Sequence, residues 1–237
     1  MIYYRYLEDG KIKQGTTDNE NVSALAEKTL VTPVTPNKII AVGLNYLDHI
    51  KEFGDRPVPE NPTLFIKFPD TVIGPNDDIL LPAGYDRVDY EAELAVVISQ
   101  YCYKVSIQEA KNYILGATCL NDVTERTVQK KDGQWIRGKN YPTFCPVGPY
   151  IVSGIDYNHL DIKSTLNGKV MQSSNTEHFI WNVYELVSFI SQSIPLEAGD
   201  VVTTGTPNGV SGMKDGDEII IEIEGIGKLI NYVKEDK

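Results

Sequence analysis

The amino-acid sequence predicts a strand-rich α+β fold with one main body. Short runs of β-branched and aliphatic residues recur along the chain, and clusters of glycine, proline and asparagine separate them, as is typical of strands and turns. Helical patterns are few and do not alternate regularly with the strands, so a βαβ succession is not indicated. With 237 residues, 41% of them hydrophobic, the chain is long enough to enclose a sizeable core.

Residues 1–36 are predicted to form a small N-terminal appendage. Asp9-Gly10 favours a tight turn between two short strands, and an apolar segment at 22–30 is typical of a short helix. Prolines then interrupt the chain, because proline removes a backbone donor and restricts the residue before it. We therefore take residues 37–237 as the main body.

The main body is predicted to begin with a buried strand at 39–42 and a short helix at 45–53. The strand is an apolar run that a glycine ends. Asn45 is a suitable cap for the helix, and Asp48 stands where a capping-box partner would stand. Gly54 can end the helix, because glycine readily adopts the left-handed conformation found there.

Two capping boxes predict further helices, since an N-cap side chain and a glutamate three residues later satisfy each other's backbone groups. One pairs Ser106 with Glu109 and opens a helix to about Ile114, and the other pairs Asn182 with Glu185 and opens a helix through about Ser191. Apolar and alternating runs predict the remaining strands. These lie at 64–68, 79–81, 88–98, 117–121, 162–166, 169–172, 200–204, 218–223 and 228–233.

The net charge of −11, from 33 acidic residues against 22 lysines and arginines, argues against nucleic acid or an anionic membrane as a partner. Three cysteines, Cys102, Cys119 and Cys145, are too few and too widely spaced for a disulfide framework or a zinc cage. The chain does not begin with a signal-peptide pattern, and its apolar runs are too short to span a bilayer. We therefore expect a cytoplasmic protein.

Several catalytic motifs are missing from the sequence. It contains no glycine-rich dinucleotide loop, no phosphate loop, no H-E-x-x-H and no G-x-S-x-G. Only three histidines occur, so a histidine-rich metal site is excluded. A bound metal ion would therefore have to be held by oxygen ligands.

Three carboxylates next to apolar strands form the first candidate site. Glu91 and Glu93 are two residues apart in the predicted strand 88–98, so they would project to the same side. Asp122 follows an apolar strand and would supply a third oxygen ligand. This donor set suits Mg²⁺ or Mn²⁺ better than zinc. The alternative is an edge strand with both glutamates in water.

His49 and Glu52 form the second candidate site. They are three residues apart on the predicted helix 45–53 and would therefore be neighbours on its surface. A carboxylate beside an imidazole raises its basicity and fixes its orientation, as a general base requires. The alternative is an ordinary exposed pair. Taken without the rest of the sequence, the spacing of these two residues favours this alternative, because such pairs are common on protein surfaces.

Lys139 and Thr206 are candidates that neither spacing nor composition makes specific. Lys139 lies in the segment Arg-Gly-Lys-Asn-Tyr, and Thr206 lies in the turn Gly-Thr-Pro-Asn-Gly. A single lysine is commonly a solvated surface group. The turn could be a plain turn or one whose backbone amides meet an anion.

In their order along the chain, these residues resemble the fumarylacetoacetate hydrolase family. The match covers most of residues 38–235 and leaves residues 1–36 without a recognisable motif. Several blocks in register are far more specific than any one of them. The matching blocks are Val42-Gly43-Leu44-Asn45-Tyr46 with Asp48-His49 and Glu52, Asp89-Tyr90-Glu91-Ala92-Glu93-Leu94, Asn121-Asp122-Val123-Thr124 with Arg126 and Gln129, Gly138-Lys139 through Pro146-Val147-Gly148-Pro149, and Gly199-Asp200-Val201 through Gly209-Val210.

The resemblance implies a mixed β-sandwich or roll of the kind found in the C-terminal domain of that family, and a homodimer. It implies that Mg²⁺ or Mn²⁺ is held by Glu91, Glu93 and Asp122. It places His49 and Glu52 in a catalytic dyad on a mobile lid, within the segment 45–62. The resemblance also implies that Lys139, Thr206, Arg126 and Gln129 contact the substrate. Lys139 would in addition supply positive charge for catalysis.

The resemblance also implies a substrate with a 2-oxo acid head. We expect first a metal-dependent hydrolase that cleaves a C–C bond in acylpyruvate-type diketo acids, with His49 deprotonating the attacking water. Within the family, the alternative is a decarboxylase or isomerase of 2-oxo dioic acids, as in aromatic catabolism. From a different class, the alternative is a catalytically silent relative that binds a small molecule.

Overall fold

The computed structural model describes residues 1–18, 21–52 and 57–236. Its strands are β1 (Ile2–Glu8), β2 (Lys11–Thr17), β3 (Thr29–Val31), β4 (Ile39–Gly43), β5 (Thr63–Lys67), β6 (Val72–Ile73), β7 (Asp78–Leu81), β8 (Val88–Asp89), β9 (Ala92–Ile98), β10 (Ile114–Asn121), β11 (Thr124–Glu125), β12 (Cys145–Val152), β13 (Asp161–Leu166), β14 (Lys169–Asn175), β15 (Val201–Thr203), β16 (Glu218–Ile223) and β17 (Gly227–Glu235). Its α-helices are α1 (Leu47–Glu52), α2 (Ile107–Ala110), α3 (Arg126–Asp132), α4 (Ile136–Lys139) and α5 (Val183–Ser191), and 3₁₀ helices span Val22–Glu27, Pro69–Thr71, Lys111–Tyr113 and Thr176–His178.

These strands form two sheets and one short ladder, in which β11 pairs with β8. The larger sheet has the order β2-β1-β12-β10-β9-β15-β4-β5, with β3 paired to β1 and β6 paired to β12. The smaller sheet has the order β14-β13-β16-β17-β7. Most pairs are antiparallel, whereas β15 with β4, β12 with β6 and β17 with β7 are parallel. The predicted strand-rich α+β class, with mixed sheets, is confirmed.

β9 lies at the centre of the core and is buried along its whole length. Because successive side chains of a strand point to opposite faces, Leu94 and Val96 belong to one hydrophobic cluster, and Ala95 and Val97 to another. The first cluster also contains Ile219, Ile221 and Ile223 of β16, so it joins the two sheets. Burial on both faces accounts for the continuous apolar run in this strand, and it holds the strand firmly at the base of the site described below.

Most of the predicted elements are confirmed, and the differences have local causes. The predicted strand 88–98 is wrong as one element, because it is interrupted at Tyr90 and Glu91 between β8 and β9. The helix expected after Ser106 is shorter than predicted, since α2 passes into a 3₁₀ turn and then into β10. Both capping boxes are present.

The longest elements that were not predicted are β12, α3 and α4. β12 contains two prolines, which remove backbone donors and therefore argue against a strand. α3 and α4 are short and largely polar, so they show little apolar periodicity. The N-cap of α3 is Glu125, whose side chain accepts from the backbone N–H of Val128.

The N-terminal segment forms the predicted hairpin, with β1 and β2 on either side of Asp9-Gly10. The segment 22–30 contains a 3₁₀ helix followed by the start of β3. β1 pairs with β12, placing Ile2 opposite Val152, so the hairpin is an extension of the larger sheet. The division between residues 36 and 37 into an appendage and a main body stays a prediction.

Asn45 does not act as the predicted helix cap. Its side chain accepts from the backbone N–H of Trp181 at 2.8 Å and donates to the carbonyl oxygens of Trp181 and Thr204 at 3.0 and 2.8 Å. This ties the loop before α1 to two distant parts of the chain. The proposed helix end at Gly54 lies outside the described residues. No helix within the described ranges combines the length and the apolar character needed to cross a membrane.

Candidate active site

A cavity of about 360 Å³ brings together the residues that the sequence singled out. It opens beside the start of β9 and the start of α3. Nearly all the predicted site residues line it: His49, Glu91, Glu93, Asp122, Arg126, Gln129, Lys139 and Thr206. Glu52 reaches the cavity through its contact with His49.

The three carboxylates converge at the base of this cavity. Glu93 lies on β9, Glu91 precedes that strand, and Asp122 follows β10. The backbone N–H of Asp122 donates to the carbonyl of Glu91 at 2.9 Å, so the two loop residues are held against each other. One oxygen from each carboxylate lies within 4.8 Å of the other two. The structure thus gathers the three predicted ligands, although Glu91 reaches the site from a bend and not from the strand.

All three carboxylates are buried, which excludes an edge strand with both glutamates in water. Glu91 is 4% exposed, and Glu93 and Asp122 are 1% and 0% exposed. β9 is an interior strand, because it pairs with both β10 and β15. Burying several carboxylates together is costly unless cations or protons compensate their charges.

Three buried cations compensate most of this charge. The Lys139 ammonium donates to Glu91 Oε2 at 2.7 Å and to Asp122 Oδ2 at 2.5 Å. Lys67 donates to Asp122 Oδ1 at 2.6 Å. Arg126 bridges Glu91 at 2.7 Å and Asp89 at 2.9 Å. Lys139 is therefore a buried member of the site and not a solvated surface group.

Glu91 and Glu93 differ sharply in their electrostatic surroundings. Burial alone would raise the pKa of Glu91, but the charges of Lys139 and Arg126 outweigh burial and hold that pKa far below its usual value. Burial, followed by the charges of Asp122 and Glu91, raises the pKa of Glu93 well above its usual value. Within the part of the chain that the structure describes, no lysine or arginine forms an ion pair with Glu93, which accepts from the Gly205 N–H at 2.9 Å.

The donor set therefore fits a divalent cation. Three buried carboxylates supply the hard oxygen ligands that Mg²⁺ and Mn²⁺ prefer, and the charge of Lys139 does not offset the burial and the two neighbouring carboxylates that raise the pKa of Glu93. A cation at this point would balance the remaining negative charge of the cluster. These three residues could thus hold a metal ion.

Lys67 is a site residue that the sequence analysis missed. Besides Asp122 it donates to the backbone carbonyl of Lys139 at 2.5 Å, so it links the aspartate to α4. It is 1% exposed, at the end of β5. A lysine inside the otherwise apolar run of a predicted strand was the available signal, because burying an ammonium requires a nearby carboxylate.

His49 and Glu52 also form a partly buried pair. His49 is 6% exposed, and its Nδ1 lies 3.1 Å from Glu52 Oε2. The other oxygen of Glu52 accepts from the backbone N–H of Gly209 at 3.1 Å. The pair therefore connects α1 to the turn that carries Thr206, and it is not an ordinary exposed pair.

The contact with Glu52 sets the tautomer of His49. Burial raises the pKa of Glu52, but hydrogen bonds from His49 and from the Gly209 N–H outweigh burial and lower it. Glu52 is then ionised at neutral pH and can only accept a hydrogen bond. Nδ1 of His49 therefore carries the proton, and in the neutral ring the lone pair is on Nε2.

The segment 45–62 is only partly described, and some of the residues at its start are buried. Tyr46, His49 and Ile50 are all buried, so the start of this segment is not a loosely held flap. The predicted lid includes residues 53–56, which lie outside the described residues. The mobility that the resemblance implies for the lid stays a prediction.

The turn at 205–209 is fixed by contacts that the sequence did not reveal. Gln172 Nε2 donates to Thr206 Oγ1 and to the carbonyl of Pro207, both at 2.8 Å. Gly209 has φ +98°, and a Cβ there would collide with the carbonyl oxygen of Met171, so glycine is required. Gln172 lies on β14, far from the turn in sequence, and no local pattern pointed to it.

Arg126 and Gln129 line the cavity but also hold the site together. Gln129 Oε1 accepts from Arg126 Nη1 at 2.8 Å, and Arg126 in turn binds Asp89 and Glu91. The two residues are one turn apart on α3, which places them on one face of the helix. Their predicted contacts with the substrate stay predictions.

Comparison with known proteins indicates a single family. The model of the fumarylacetoacetate (FAA) hydrolase C-terminal domain matches residues 38–234. The rat protein named oxaloacetate tautomerase Fahd2a, mitochondrial, is 40% identical over 220 residues, which cover 88% of this chain and 70% of that protein. Among solved structures, a 5-carboxymethyl-2-hydroxymuconate delta-isomerase from Mycobacterium smegmatis matches with a TM-score of 0.93 and 38% identity, covering 100% of both chains. A fumarylacetoacetate hydrolase from Exiguobacterium antarcticum matches with a TM-score of 0.89 and 31% identity, also covering 100% of both chains.

Proposed function

The chain belongs to the fumarylacetoacetate hydrolase family, and from this premise we propose that it is a tautomerase of 2-oxo acids that uses Mg²⁺ or Mn²⁺. In this reaction a proton leaves C3, next to the 2-oxo group, and a proton is added to the keto oxygen to give the enol. The single observation that carries the proposal is the arrangement of one cavity, with a buried triad of carboxylates and the His49–Glu52 pair in its lining. The names of the tautomerase and isomerase relatives support this alternative over the hydrolysis expected first.

The three carboxylates are the proposed metal ligands. A divalent cation held there would stabilise the negative charge that develops on the keto oxygen of a 2-oxo acid and so make the C3 proton more acidic. The protein prepares this site by keeping Glu91 ionised beside Lys139 and Arg126, and by holding Asp122 through hydrogen bonds from Lys139 and Lys67. Lys139 remains an ammonium, because Asp122 and Glu91 raise its pKa more than burial lowers it.

His49 is the proposed base for the C3 proton. Its Nε2 holds the lone pair in the neutral ring, and Glu52 stabilises the imidazolium that forms when the proton is taken up. The same imidazolium can return the proton to C3 or donate it to the keto oxygen, which gives the enol. Because Glu52 is anchored to the Gly209 N–H, the ring is held in one orientation.

Thr206 is proposed to orient the carboxylate of the 2-oxo acid head. Its hydroxyl oxygen accepts from Gln172 Nε2, which leaves the hydroxyl proton available to donate into the cavity. A hydrogen bond to a carboxylate fixes the plane of the substrate as well as its position. The homodimer that the resemblance implies is not needed for this step and stays a prediction.

Hydrolysis of acylpyruvates is the second candidate function. It is favoured by the same His49–Glu52 pair, which could instead deprotonate a water molecule, and by the similarity to the hydrolase from Exiguobacterium antarcticum. The two reactions share the activation of the 2-oxo head and differ in whether a C–C bond breaks.

The rate of enol decay tests the proposed function. The enol of oxaloacetate absorbs ultraviolet light more strongly than the keto form, so its decay can be followed after it is dissolved. We expect the protein with Mg²⁺ or Mn²⁺ to accelerate the decay in proportion to its concentration, and we expect a chelator to abolish the effect. Decay that is independent of protein concentration at saturating metal would contradict the proposed function.

A further inference from the structure

Lys130 lines the cavity but takes no part in the ion pairs between the buried cations and carboxylates. Lys130 lies on α3, four residues after Arg126, and both line the cavity. Residues four apart share a helix face, and the Cα of Lys130 is about 6 Å further along the helix axis. Arg126 is buried whereas Lys130 is exposed, so this face of α3 runs from the base of the cavity to its mouth.

Lys130 differs from the other cations of the cavity in its partners. Lys139 and Arg126 are ion-paired with Glu91, and they also hold Asp122 and Asp89 respectively. Lys130 makes no hydrogen bond or ion pair with any residue in the ranges 1–18, 21–52 and 57–236. Its positive charge at the cavity mouth is therefore available to a ligand.

Building on the proposed function, we infer that Lys130 is the residue that selects dicarboxylic over monocarboxylic 2-oxo acids, by binding the carboxylate at the distal end of the substrate. A divalent cation held by the three carboxylates, together with Thr206, would direct the 2-oxo acid head to the base of the cavity. The rest of the substrate then extends toward the mouth of the cavity, where the ammonium of Lys130 can bind its distal carboxylate. A monocarboxylic 2-oxo acid would leave this charge without a partner.

The overall charge of the protein makes this lysine more important. With a net charge of −11, the surface repels a dianion on average, and a local cation at the mouth offsets that repulsion where the substrate enters. Lys130 is therefore expected to act on substrate capture and affinity more than on the chemical step.

Lys131 provides a matched control on the same helix. It is the next residue, is also exposed, and does not line the cavity, because adjacent helical residues are about 100° apart around the axis. Lys130→Ala and Lys131→Ala remove the same charge from the same helix. The two lysines differ in their position relative to the cavity, since only Lys130 lines it.

Two enols that differ at the distal end test the inference. Oxaloacetate has a second carboxylate, and acetylpyruvate carries an acetyl group in its place. We expect Lys130→Ala to lower kcat/KM for the oxaloacetate enol roughly tenfold, mainly through KM, and to change kcat/KM for the acetylpyruvate enol less than about twofold. Lys131→Ala should change neither, and Lys130→Arg should retain most of the preference for the dicarboxylate.

Binding measurements keep the inference testable if the proposed function fails. Calorimetric titration, with Mg²⁺ present, compares 2-oxoglutarate with 2-oxopentanoate, which has a methyl group in place of the distal carboxylate. The native protein should bind 2-oxoglutarate more tightly, and Lys130→Ala should reduce that preference roughly tenfold. An equal loss for both ligands, an unchanged preference in Lys130→Ala, or the same loss in Lys131→Ala would overturn the assignment. A native protein that accelerates neither enol but retains a Lys130-dependent preference would refute the proposed function alone.

Discussion

His49→Ala is expected to slow the tautomerisation of oxaloacetate by about 10²–10⁴-fold, the usual contribution of a positioned general base. The reason is that His49 is the residue proposed to take the C3 proton, and its ring is held by Glu52 at 3.1 Å. Affinity for Mg²⁺ or Mn²⁺ should stay nearly unchanged, because the imidazole is not one of the three proposed ligands. Steady-state kinetics and metal titration on the same preparation check both expectations.

A second histidine in the chain supplies the control for this variant. His159 also has a carboxylate three residues away, with its Nδ1 at 2.7 Å from Asp156 Oδ2, but both side chains are more than half exposed. His159→Ala should therefore leave the rate unchanged. Glu52→Gln should slow the reaction less than His49→Ala, since it weakens the contact that orients the His49 ring but leaves the imidazole in place. Native rates in His49→Ala, or a parallel loss of metal affinity, would show that His49 is not the base.

Glu93→Gln is expected to weaken binding of Mg²⁺ or Mn²⁺ by about 100-fold or more, and to remove activity at ordinary metal concentrations. The same variant should be more stable than the native protein when no metal is present. Burial and two neighbouring carboxylates raise the pKa of Glu93 in the folded state above its unfolded value. The folded state therefore loses stability as pH rises above the ordinary carboxyl range, and a neutral amide removes that loss.

The opposite signs of these two effects make the Glu93 prediction specific. Glu222, a strand glutamate outside the cavity that pairs with Lys163, is the comparison: Glu222→Gln should change neither metal affinity nor metal-free stability by much. Calorimetry gives the metal affinity, and thermal unfolding in the presence of a chelator gives the stability. Unchanged metal affinity in Glu93→Gln, or a loss of metal-free stability, would contradict the role of Glu93 as a ligand held in place for a cation.

Local sequence patterns were sufficient for most of the fold and for singling out the three carboxylates, whereas the roles of Lys139, Thr206, Arg126 and Gln129 came from the resemblance to the family. Apolar runs marked the strands, and capping boxes at Ser106 and Asn182 marked two helices, because these signals depend only on nearby residues. Glu91, Glu93 and Asp122 could be singled out because carboxylates beside apolar strands need an explanation. Their meeting at one point followed from the order of blocks that resembles the family.

The residues that could not be foreseen act across long sequence separations. Lys67 reaches Asp122, 55 residues away, and Gln172 reaches Thr206, 34 residues away. Such contacts depend on how the sheets pack, which no local pattern encodes. The break at Tyr90 and Glu91 was missed for a related reason: the Glu91 backbone N–H donates to Asn121 Oδ1 at 2.9 Å, so the bend is set by a contact with the neighbouring strand.

Deuterium incorporation at C3 tests the central claim most directly. A 2-oxo acid such as oxaloacetate is incubated in deuterated water with the protein and Mg²⁺, and both label and products are followed by nuclear magnetic resonance. Since His49 would approach the substrate from one side, the protein should accelerate labelling of one of the two C3 positions while the carbon skeleton stays intact. Formation of pyruvate and carbon dioxide from oxaloacetate, or of pyruvate and acetate from acetylpyruvate, faster than C3 is labelled would contradict a tautomerase and identify a C–C bond-cleaving enzyme.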